Sequence, residues 1–255
     1  MHTRRKPDII GYPGGNQHRE MASRYPFQHP RIAEVLDRLH DEAKADKWKL
    51  ARRAPRFLWF FLTPHGADQR LMHVLFHDVY IPISKQQGEL LYLIARAINA
   101  RRVVEFGSSF GISTIYLATA VLDNLNSNPE AVGQVIGSEL EPHKQAVATQ
   151  NLERAGLSEI AKILLGDAME TFQSVEAPVD LVLLDGWKEL YLPVVKLLKP
   201  KLRPGAVVMS DNIFTFKRAL GPFLEYMQSG NNGFVSTTLR ISDGFEFSVF
   251  QPPAW

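Results

Sequence analysis

Two short polar stretches hold the residues of this chain that are most able to do chemistry. Asp185 and Lys188 lie in LLDGWKELYLP, and Asp211 and Asn212 end LRPGAVVMSDN. Two carboxylates and a carboxamide are the hard oxygen ligands that suit Mg²⁺ and leave coordination positions open. Lys188 follows Asp185 by three residues, close enough to act on a molecule that the metal holds. The spacing therefore favours a metal site with a lysine beside it.

Both stretches follow apolar runs that predict buried β-strands. Val179–Leu184 and Ala206–Ser210 are too short, and too rich in β-branched residues, to be helices. In an open α/β sheet, ligands bind in the crevice beyond the carboxyl ends of the strands. The polar groups of both stretches fall at that edge, so the predicted sheet would bring them together.

The remaining strand signals lie on either side of these two runs. The predicted parallel strands are Arg102–Phe106, Gln134–Glu139, Ala161–Leu165, Val179–Leu184 and Ala206–Ser210. Phe234–Ile241 and Phe245–Phe250 follow, joined by Ser-Asp-Gly, which is a hairpin signal. The C-terminal pair is therefore predicted to be antiparallel and to close one edge of the sheet.

Helix patterns fill the gaps between the predicted strands. Ser84 and Gln87 form an S-x-x-Q capping box, which predicts the start of the first of these helices. The predicted helices are Ser84–Asn99, Gly111–Leu125, Pro142–Ala155, Ala168–Gln173, Lys188–Leu198 and Phe216–Gln228. This alternation is typical of the α/β class and predicts a doubly wound, mostly parallel sheet with right-handed crossovers.

The N-terminal third of the chain does not share this alternation. Residues 1–80 are predicted to be an arm followed by a helical extension, and residues 81–255 to be the main domain. The arm runs to about residue 29, and Pro30–Arg53 has the apolar spacing of an amphipathic helix. The aromatic segment Pro55–Leu62 needs a surface to cover it, which is compatible with a homodimer.

The bulk composition excludes several classes of site. The chain has 255 residues, a formal net charge of +2 and no cysteine. Disulfides, zinc–thiolate sites and a thiol nucleophile are therefore excluded, and the balanced charge gives no argument for nucleic acid binding. No apolar run approaches the roughly 20 residues of a membrane-spanning helix, and the basic N-terminus lacks the apolar core of a signal peptide. A soluble, cytoplasmic protein is the expectation.

A second set of polar residues follows the first three predicted strands. Glu105, Gly107 and Gly111 form an E-x-G-x-x-x-G turn, which lacks the middle glycine of the dinucleotide fingerprint and disfavours a nicotinamide cofactor. An acid before this turn would attract a cation such as the amine or sulfonium of S-adenosylmethionine. Glu139 ends the second strand and could bind ribose hydroxyls or simply be solvated. Asp167 follows the third strand and could accept a bond from an adenine amino group or cap the next helix.

Taken together, these motifs resemble the S-adenosylmethionine-dependent O-methyltransferases of the catechol O-methyltransferase type. The similarity covers about residues 80–250, and LLDGWKELYLP with LRPGAVVMSDN is its most specific part. The family implies a Rossmann-like, seven-stranded class I methyltransferase sheet with a reversed C-terminal strand, in agreement with the predicted hairpin.

The resemblance also implies roles for individual residues. Asp185, Asp211 and Asn212 would be the ligands of Mg²⁺ or another divalent cation, and Lys188 would be the general base. The substrate would contact Asp185, Lys188 and Asn212. The cofactor would contact Ile83, Glu105, Gly107, Ser108, Ser109, Gly111, Ser113, Glu139, Leu140, Gly166, Asp167, Ala168, Asp185 and Trp187.

The reaction implied is metal-dependent methyl transfer from S-adenosylmethionine to a hydroxyl of a vicinal dihydroxy-aromatic small molecule. One alternative is a metal-independent methyltransferase that acts on nitrogen or on a carboxylate. A second alternative is a non-catalytic protein that binds S-adenosylmethionine. Activity that is lost with a chelator would separate the expected reaction from the first alternative, and turnover would separate it from the second.

Overall fold

One sheet of seven strands forms the centre of the structure, a computed structural model. The strands are β1 (Arg102–Phe106), β2 (Gln134–Glu139), β3 (Ala161–Leu165), β4 (Val179–Leu184), β5 (Leu202–Ser210), β6 (Phe234–Leu239) and β7 (Phe245–Phe250). Their order in the sheet is β3-β2-β1-β4-β5-β7-β6. The pairs among β1 to β5 are parallel, whereas β7 is antiparallel to both β5 and β6. The predicted fold class is confirmed, including the C-terminal hairpin at one edge.

The structure describes residues 25–45, 83–128 and 131–252. The predicted aromatic segment Pro55–Leu62, most of the predicted arm and the end of the predicted helix Pro30–Arg53 lie outside these ranges. The helices within them are α1 (residues 30–45), α2 (Lys85–Ala97), α3 (Ile112–Asn126), α4 (Pro142–Ala155), α5 (Ala168–Thr171), α6 (Tyr191–Leu198) and α7 (Gly221–Gln228). No helix in these ranges is long and apolar enough to cross a membrane.

The helices cover both faces of the sheet because side chains of each strand alternate between the two faces. Val103 and Leu181 point to one face, where they share a core with α1, α2, α3 and α4. Val104 and Val182 point to the other, where they share a core with α5, α6 and α7. The central strands are therefore buried on both sides, as their continuous apolar runs predict.

The order of the strands fixes where a ligand can bind. β1 lies between β2 and β4: the chain moves from β1 outward to β2 and β3, and then crosses back to the other side of β1 to form β4. A crevice forms at such a switch point, beyond the carboxyl ends of the strands. The backbone N–H of Asp185, just after β4, donates to the carbonyl oxygen of Phe106 at 2.8 Å. The polar residues after β1 and β4 are thereby held side by side.

Several predicted elements have different bounds in the structure, and β6 ends at Leu239 rather than at Ile241. β5 begins at Leu202 rather than Ala206, because the strand continues through Pro204 and Gly205. The prediction of a helix over Phe216–Gln228 was wrong for its first part. The chain forms turns there, and α7 begins only at Gly221, with a proline in its first turn. Shorter differences are that Phe172–Ser174 and Lys188–Leu190 form 3₁₀ turns next to α5 and α6.

The end of the predicted arm packs against the main domain. Tyr25 and Phe27 are buried, and their rings stack at a centroid distance of 5.2 Å. Leu36 and Leu39 of α1 are fully buried in the core that α2 and α3 share. The hydroxyl of Tyr25 donates to Asp37 at 2.8 Å. Tyr25 and Phe27, at the end of the predicted arm, are therefore packed into the core of the structure.

Candidate active site

The residues predicted to form a metal site meet at the carboxyl ends of β4 and β5. Lys188 Nζ donates to Asn212 Oδ1 at 2.7 Å and lies 3.6 Å from Asp185 Oδ1. The backbone N–H of Asp211 donates to Leu184 O at 3.0 Å, which aligns the two strand ends. The side chains of Lys188 and Asp185 are only 11% and 16% exposed. The structure thus brings all four predicted residues to one partly buried cluster.

The sharp turn after β5 orients the side chain of Asp211. Asn212 has a φ of +64°, in the left-handed region that asparagine tolerates better than most residues. In this conformation its backbone N–H donates to Asp211 Oδ1 at 2.7 Å. Gln87 Nε2, on α2, donates to the same oxygen, also at 2.7 Å. Two hydrogen bonds from different elements therefore hold this carboxylate.

Burial dominates the electrostatics of the cluster. It raises the pKa of Asp185 well above its ordinary value, and the charge of Asp211 raises it further. Burial likewise raises the pKa of Asp211. Burial lowers the pKa of Lys188, although the two carboxylates oppose this. Ionising both acids side by side is costly because their negative charges repel each other in a buried site. A cation that binds between them would offset this repulsion and would itself be stabilised.

The donor set fits a hard divalent cation. In the described ranges, no group of three or more His, Cys, Asp or Glu side chains is arranged to hold a metal. The predicted set is instead two carboxylates and one carboxamide, all oxygen donors of the kind that Mg²⁺ accepts together with water. The oxygens of Asp185 and Asn212 already lie close to one atom, Lys188 Nζ, at 3.6 and 2.7 Å.

Tyr191 and Gln87 belong to the cluster, and the sequence analysis did not assign them there. The Tyr191 hydroxyl accepts from Lys188 Nζ at 2.7 Å and donates to the carbonyl oxygen of Asp211 at 3.3 Å. Tyr191 is fully buried at the start of α6. Its position three residues after Lys188, one helical turn away, is the signal that would have found it.

Replacing Tyr191 with phenylalanine should loosen Lys188 without removing it. The ring would stay in the core, but Lys188 Nζ would lose one acceptor, and a typical hydrogen bond contributes about 0.5–1.5 kcal/mol. We expect kcat to fall roughly tenfold, with unchanged affinity for S-adenosylhomocysteine. Tyr226→Phe, whose hydroxyl accepts a 3.4 Å bond from Lys199, is the matched control. Equal kcat for Tyr191→Phe and wild type would show that this bond does not position Lys188.

The candidate cofactor site begins at Glu105, which is completely buried at the end of β1. Glu105 Oε2 accepts from the hydroxyls of Ser108, at 2.7 Å, and Thr114. Oε1 has no hydrogen-bond partner among the described residues. Burial raises the pKa of Glu105, and the hydroxyls of Ser113, Thr114 and Ser108 oppose that rise. A buried carboxylate oxygen without a partner fits the cationic amine of S-adenosylmethionine.

The glycines after β1 serve packing as well as turn formation. Gly107 has a φ of +90°, and a Cβ there would lie 2.6 Å from the backbone of Gly186. Gly111 has a φ of +85°, and its Cβ would lie 3.2 Å from that of Ala148 on α4. The space next to both glycines is thus filled by protein. Their freedom to adopt positive φ is what the turn requires.

The acids after β2 and β3 are held by backbone amides. Glu139 Oε2 accepts from the N–H of Ser109 at 2.8 Å, and Oε1 accepts from the N–H of Glu141 at 2.9 Å. Each oxygen keeps a lone pair, so the carboxylate is oriented and can still bind hydroxyls. Asp167 Oδ1 accepts from the N–H of Met169 at 2.8 Å and caps α5. The capping interpretation of Asp167 is therefore realised in the structure.

The other residues predicted to contact the cofactor lie in several different elements of the structure. Ile83 is buried directly before Ser84, the cap of α2. Leu140 is 50% exposed after β2, which leaves an apolar surface for a ligand. Trp187 is partly buried against the core that contains α6. Ser113 and Ala168 are buried in the first turns of α3 and α5, and Gly166, with a φ of +130°, follows β3.

Replacing Glu105 with glutamine should weaken cofactor binding. The substitution keeps the shape but removes the charge, and losing a bond to a charged group corresponds to about 1.5–3 kcal/mol, or roughly 10- to 100-fold in affinity. Calorimetric titration with S-adenosylmethionine would measure the change. Glu159→Gln, at an exposed position, is the control and should bind as the wild type does. Equal affinities for all three proteins would contradict the role of Glu105.

The same substitution has an expected pH signature in the cofactor-free protein. Because the pKa of Glu105 is raised in the folded state, ionisation destabilises that state as pH rises above the ordinary value of the group. The Glu105→Gln variant has no ionisable group at this position, so it does not lose stability in this way as the pH rises. We expect its Tm to exceed that of the wild type at pH 8 by more than it does at pH 5. Thermal unfolding at the two pH values would test this sign, and a pH-independent difference would contradict it.

Comparisons with known proteins find methyltransferases among the relatives of this chain. A family model described as a methyltransferase domain matches residues 104–213. The catechol O-methyltransferase of Mycobacterium tuberculosis is 37% identical over 134 residues, which cover 52% of this chain and 57% of that relative. The chain thus spans little more than half the length of the first curated relatives that it matches.

Solved structures extend the match over more of the chain. The cofactor-bound Rv0187 from MTB is 30% identical, with a TM-score of 0.61, over 74% of this chain and 92% of that one. The O-methyltransferase TomG from Streptomyces achromogenes, solved with S-adenosylmethionine, is 26% identical with a TM-score of 0.61 over 70% of this chain and 86% of that one. This chain belongs to the class I S-adenosylmethionine-dependent O-methyltransferases, which confirms the resemblance carried by its motifs.

Proposed function

We propose that this protein transfers the methyl group of S-adenosylmethionine to one hydroxyl of a vicinal dihydroxy-aromatic small molecule. Asp185, Asp211 and Asn212 would hold Mg²⁺ or another divalent cation, and Lys188 would be the general base. The observation that carries the proposal is the position of Lys188 Nζ, 2.7 Å from Asn212 Oδ1 and 3.6 Å from Asp185 Oδ1. The proposed proton acceptor, Lys188, therefore lies next to two proposed metal ligands, Asp185 and Asn212, at the edge of the sheet.

The names of curated relatives support this substrate class. Relatives from Mycobacterium tuberculosis, Niastella koreensis and Mus musculus, at 37%, 33% and 27% identity, are catechol O-methyltransferases. A catechol carries two neighbouring hydroxyls, which can bind one cation together. The oxygen donor set of this chain suits such a substrate better than it suits the metal-independent alternative, which would gain nothing from Asp211 and Asn212.

Lys188 has the position and the environment of a general base. A phenol has a pKa of about 10 if it resembles tyrosine, so little phenolate exists at neutral pH. A divalent cation at the site would supply Lewis-acid stabilisation of the negative charge on the attacking oxygen. Lys188 Nζ can accept the proton only when it is neutral, and burial, which lowers its pKa, favours that form.

The residues of the cofactor site would orient the methyl donor. S-adenosylmethionine would supply an electrophilic methyl group on a sulfonium. Glu105 Oε1 would accept a bond from the amine, and Glu139, oriented by Ser109 and Glu141, would accept bonds from the ribose hydroxyls. Holding donor and acceptor at near-attack distance can contribute up to ~7–11 kcal/mol of rate enhancement.

Transfer of a labelled methyl group would test the proposed function. The protein is incubated with labelled S-adenosylmethionine and a panel of catechols, once with Mg²⁺ and once with EDTA. Labelling that requires Mg²⁺ would support the proposal. Labelling that survives EDTA, on amines or carboxylates, would favour the metal-independent alternative. Binding of S-adenosylhomocysteine without any turnover would favour a non-catalytic role, and neither binding nor turnover would overturn the proposal altogether.

A further inference from the structure

The side chain of Gln87 connects the start of α2 to the candidate metal site. Its Nε2 donates to Asp211 Oδ1 at 2.7 Å, across 124 residues of sequence. Its Oε1 accepts from both the backbone N–H and the hydroxyl of Ser84, each at 2.9 Å. Gln87 is only 1% exposed. Both ends of the amide are therefore used, which fixes its direction and identifies Nε2 as the group that points at Asp211.

The contact with Gln87 limits how Asp211 can turn. The terminal torsion of an aspartate side chain is broad, so a carboxylate without partners would sample many orientations. Here Gln87 Nε2 and the backbone N–H of Asn212 both donate to Oδ1. The two donors come from α2 and from the turn after β5, and together they set the plane of the carboxylate. Oδ2 then has the greater capacity to bind a cation.

We propose that Gln87 is a positioning residue for the divalent-cation site and acts through Asp211. This inference rests on the proposed function, since it takes the cluster of Asp185, Asp211 and Asn212 to be the metal site. Residues that orient a ligand in this way typically change metal affinity by 10- to 100-fold when they are replaced. Gln87 also caps α2, so a test must separate metal affinity from the stability of the helix.

Replacing Gln87 with methionine removes the amide at similar side-chain length. Mn²⁺, observed by electron paramagnetic resonance, reports metal binding directly and without catalysis. We expect Gln87→Met to weaken Mn²⁺ binding at least tenfold and to leave the affinity for S-adenosylhomocysteine within twofold of the wild type. Gln87→Asn, which keeps the amide but is one methylene shorter, is a milder second variant and should weaken Mn²⁺ binding in the same direction.

Two control variants separate positioning from capping. Gln86→Met changes the same residue type at the adjacent, exposed position and should bind Mn²⁺ as the wild type does. Ser84→Ala removes the hydroxyl of the cap, but the backbone N–H of residue 84 can still donate to Gln87. We expect Ser84→Ala to lower the Tm while it changes Mn²⁺ affinity less than threefold. A positioning role predicts this split, whereas a purely structural role predicts that affinity falls with Tm.

The outcomes distinguish failure of this inference from failure of the proposed function. If wild type binds Mn²⁺ and both Gln87 variants bind it equally well, the positioning role of Gln87 is overturned and the metal site stands. If Ser84→Ala weakens Mn²⁺ binding as much as Gln87→Met does, the effect belongs to the helix cap and the inference is also overturned. If wild type binds no Mn²⁺, the metal part of the proposed function falls together with this inference.

Discussion

Replacing Lys188 with methionine is expected to lower kcat by about 10²- to 10⁴-fold, the usual contribution of a general base. Methionine keeps an apolar stem in the partly buried pocket but cannot accept a proton. Because Lys188 Nζ donates to Asn212 Oδ1 and so competes with a metal for that oxygen, its removal should leave Mn²⁺ affinity unchanged or increased. Lost turnover with retained metal binding would separate a role in the chemical step from a role in holding the metal, and steady-state kinetics with metal titration would measure both.

Lys196→Met is the matched control for this experiment. Lys196 lies on α6, is exposed, and has its Nζ 5.3 Å from the ring of Tyr226 rather than in the cluster. Its replacement should leave kcat within about twofold of the wild type, as expected for an exposed position away from the reacting groups. If Lys188→Met turns over as fast as Lys196→Met, another group must accept the proton.

Local signals predicted the elements that need no distant partner. The structure gives α4 the predicted bounds, Pro142–Ala155, with a proline in its first turn and Gly156 ending the helix at a φ of +75°. β4, Val179–Leu184, was predicted over the same residues because an apolar, β-branched run of that length fits only a doubly buried strand. In both cases the deciding residues lie within the element or directly next to it.

The element that was predicted wrongly depends on contacts from elsewhere in the chain. The apolar spacing from Phe216 suggested a helix that would start there, but the chain turns until α7. Just before Phe216, the N–H of Ile213 donates to Gly244 O at 3.2 Å, and the N–H of Phe214 donates to Asp243 O at 2.9 Å. These bonds tie the segment after β5 to the loop between β6 and β7. No pattern within the segment itself reports them.

The candidate site also contains residues that local patterns identify and one residue that only tertiary packing places there. Asp185, Lys188, Asp211 and Asn212 could be grouped from the sequence because parallel strands end at one edge of a sheet. Gln87 could not, since its partner Asp211 is 124 residues away and its own motif indicated only a helix cap. Predicting such a contact requires knowing how α2 lies against the end of β5, which is a property of tertiary packing.

Replacing Asp211 with asparagine is expected to abolish the metal dependence together with most of the activity. The new side chain can still accept bonds from Gln87 and Asn212 at its oxygen, so the local geometry is kept and the charge is removed. Lewis-acid stabilisation contributes several kcal/mol, so we expect a fall in kcat/KM of at least ~100-fold. Assays over a range of Mg²⁺ concentrations would check this, with Glu176→Gln, an exposed acid, as the control.

Thermal unfolding shows whether that loss comes from the metal or from the fold. A cation that binds only the folded state raises the Tm, and raises it more when it binds more tightly, so Mg²⁺ should stabilise the wild type and have much less effect on Asp211→Asn. Burial raises the pKa of Asp211, so its carboxylate is costly to ionise in the metal-free protein, and the variant should be at least as stable there as the wild type. A variant that remained active and was stabilised by Mg²⁺ to the same extent would remove Asp211 from the ligand set. Because asparagine conserves the hydrogen bonds at Oδ1, the variant differs from the wild type by the negative charge and by an NH₂ group in place of Oδ2. Both are properties by which a hard cation selects its ligands.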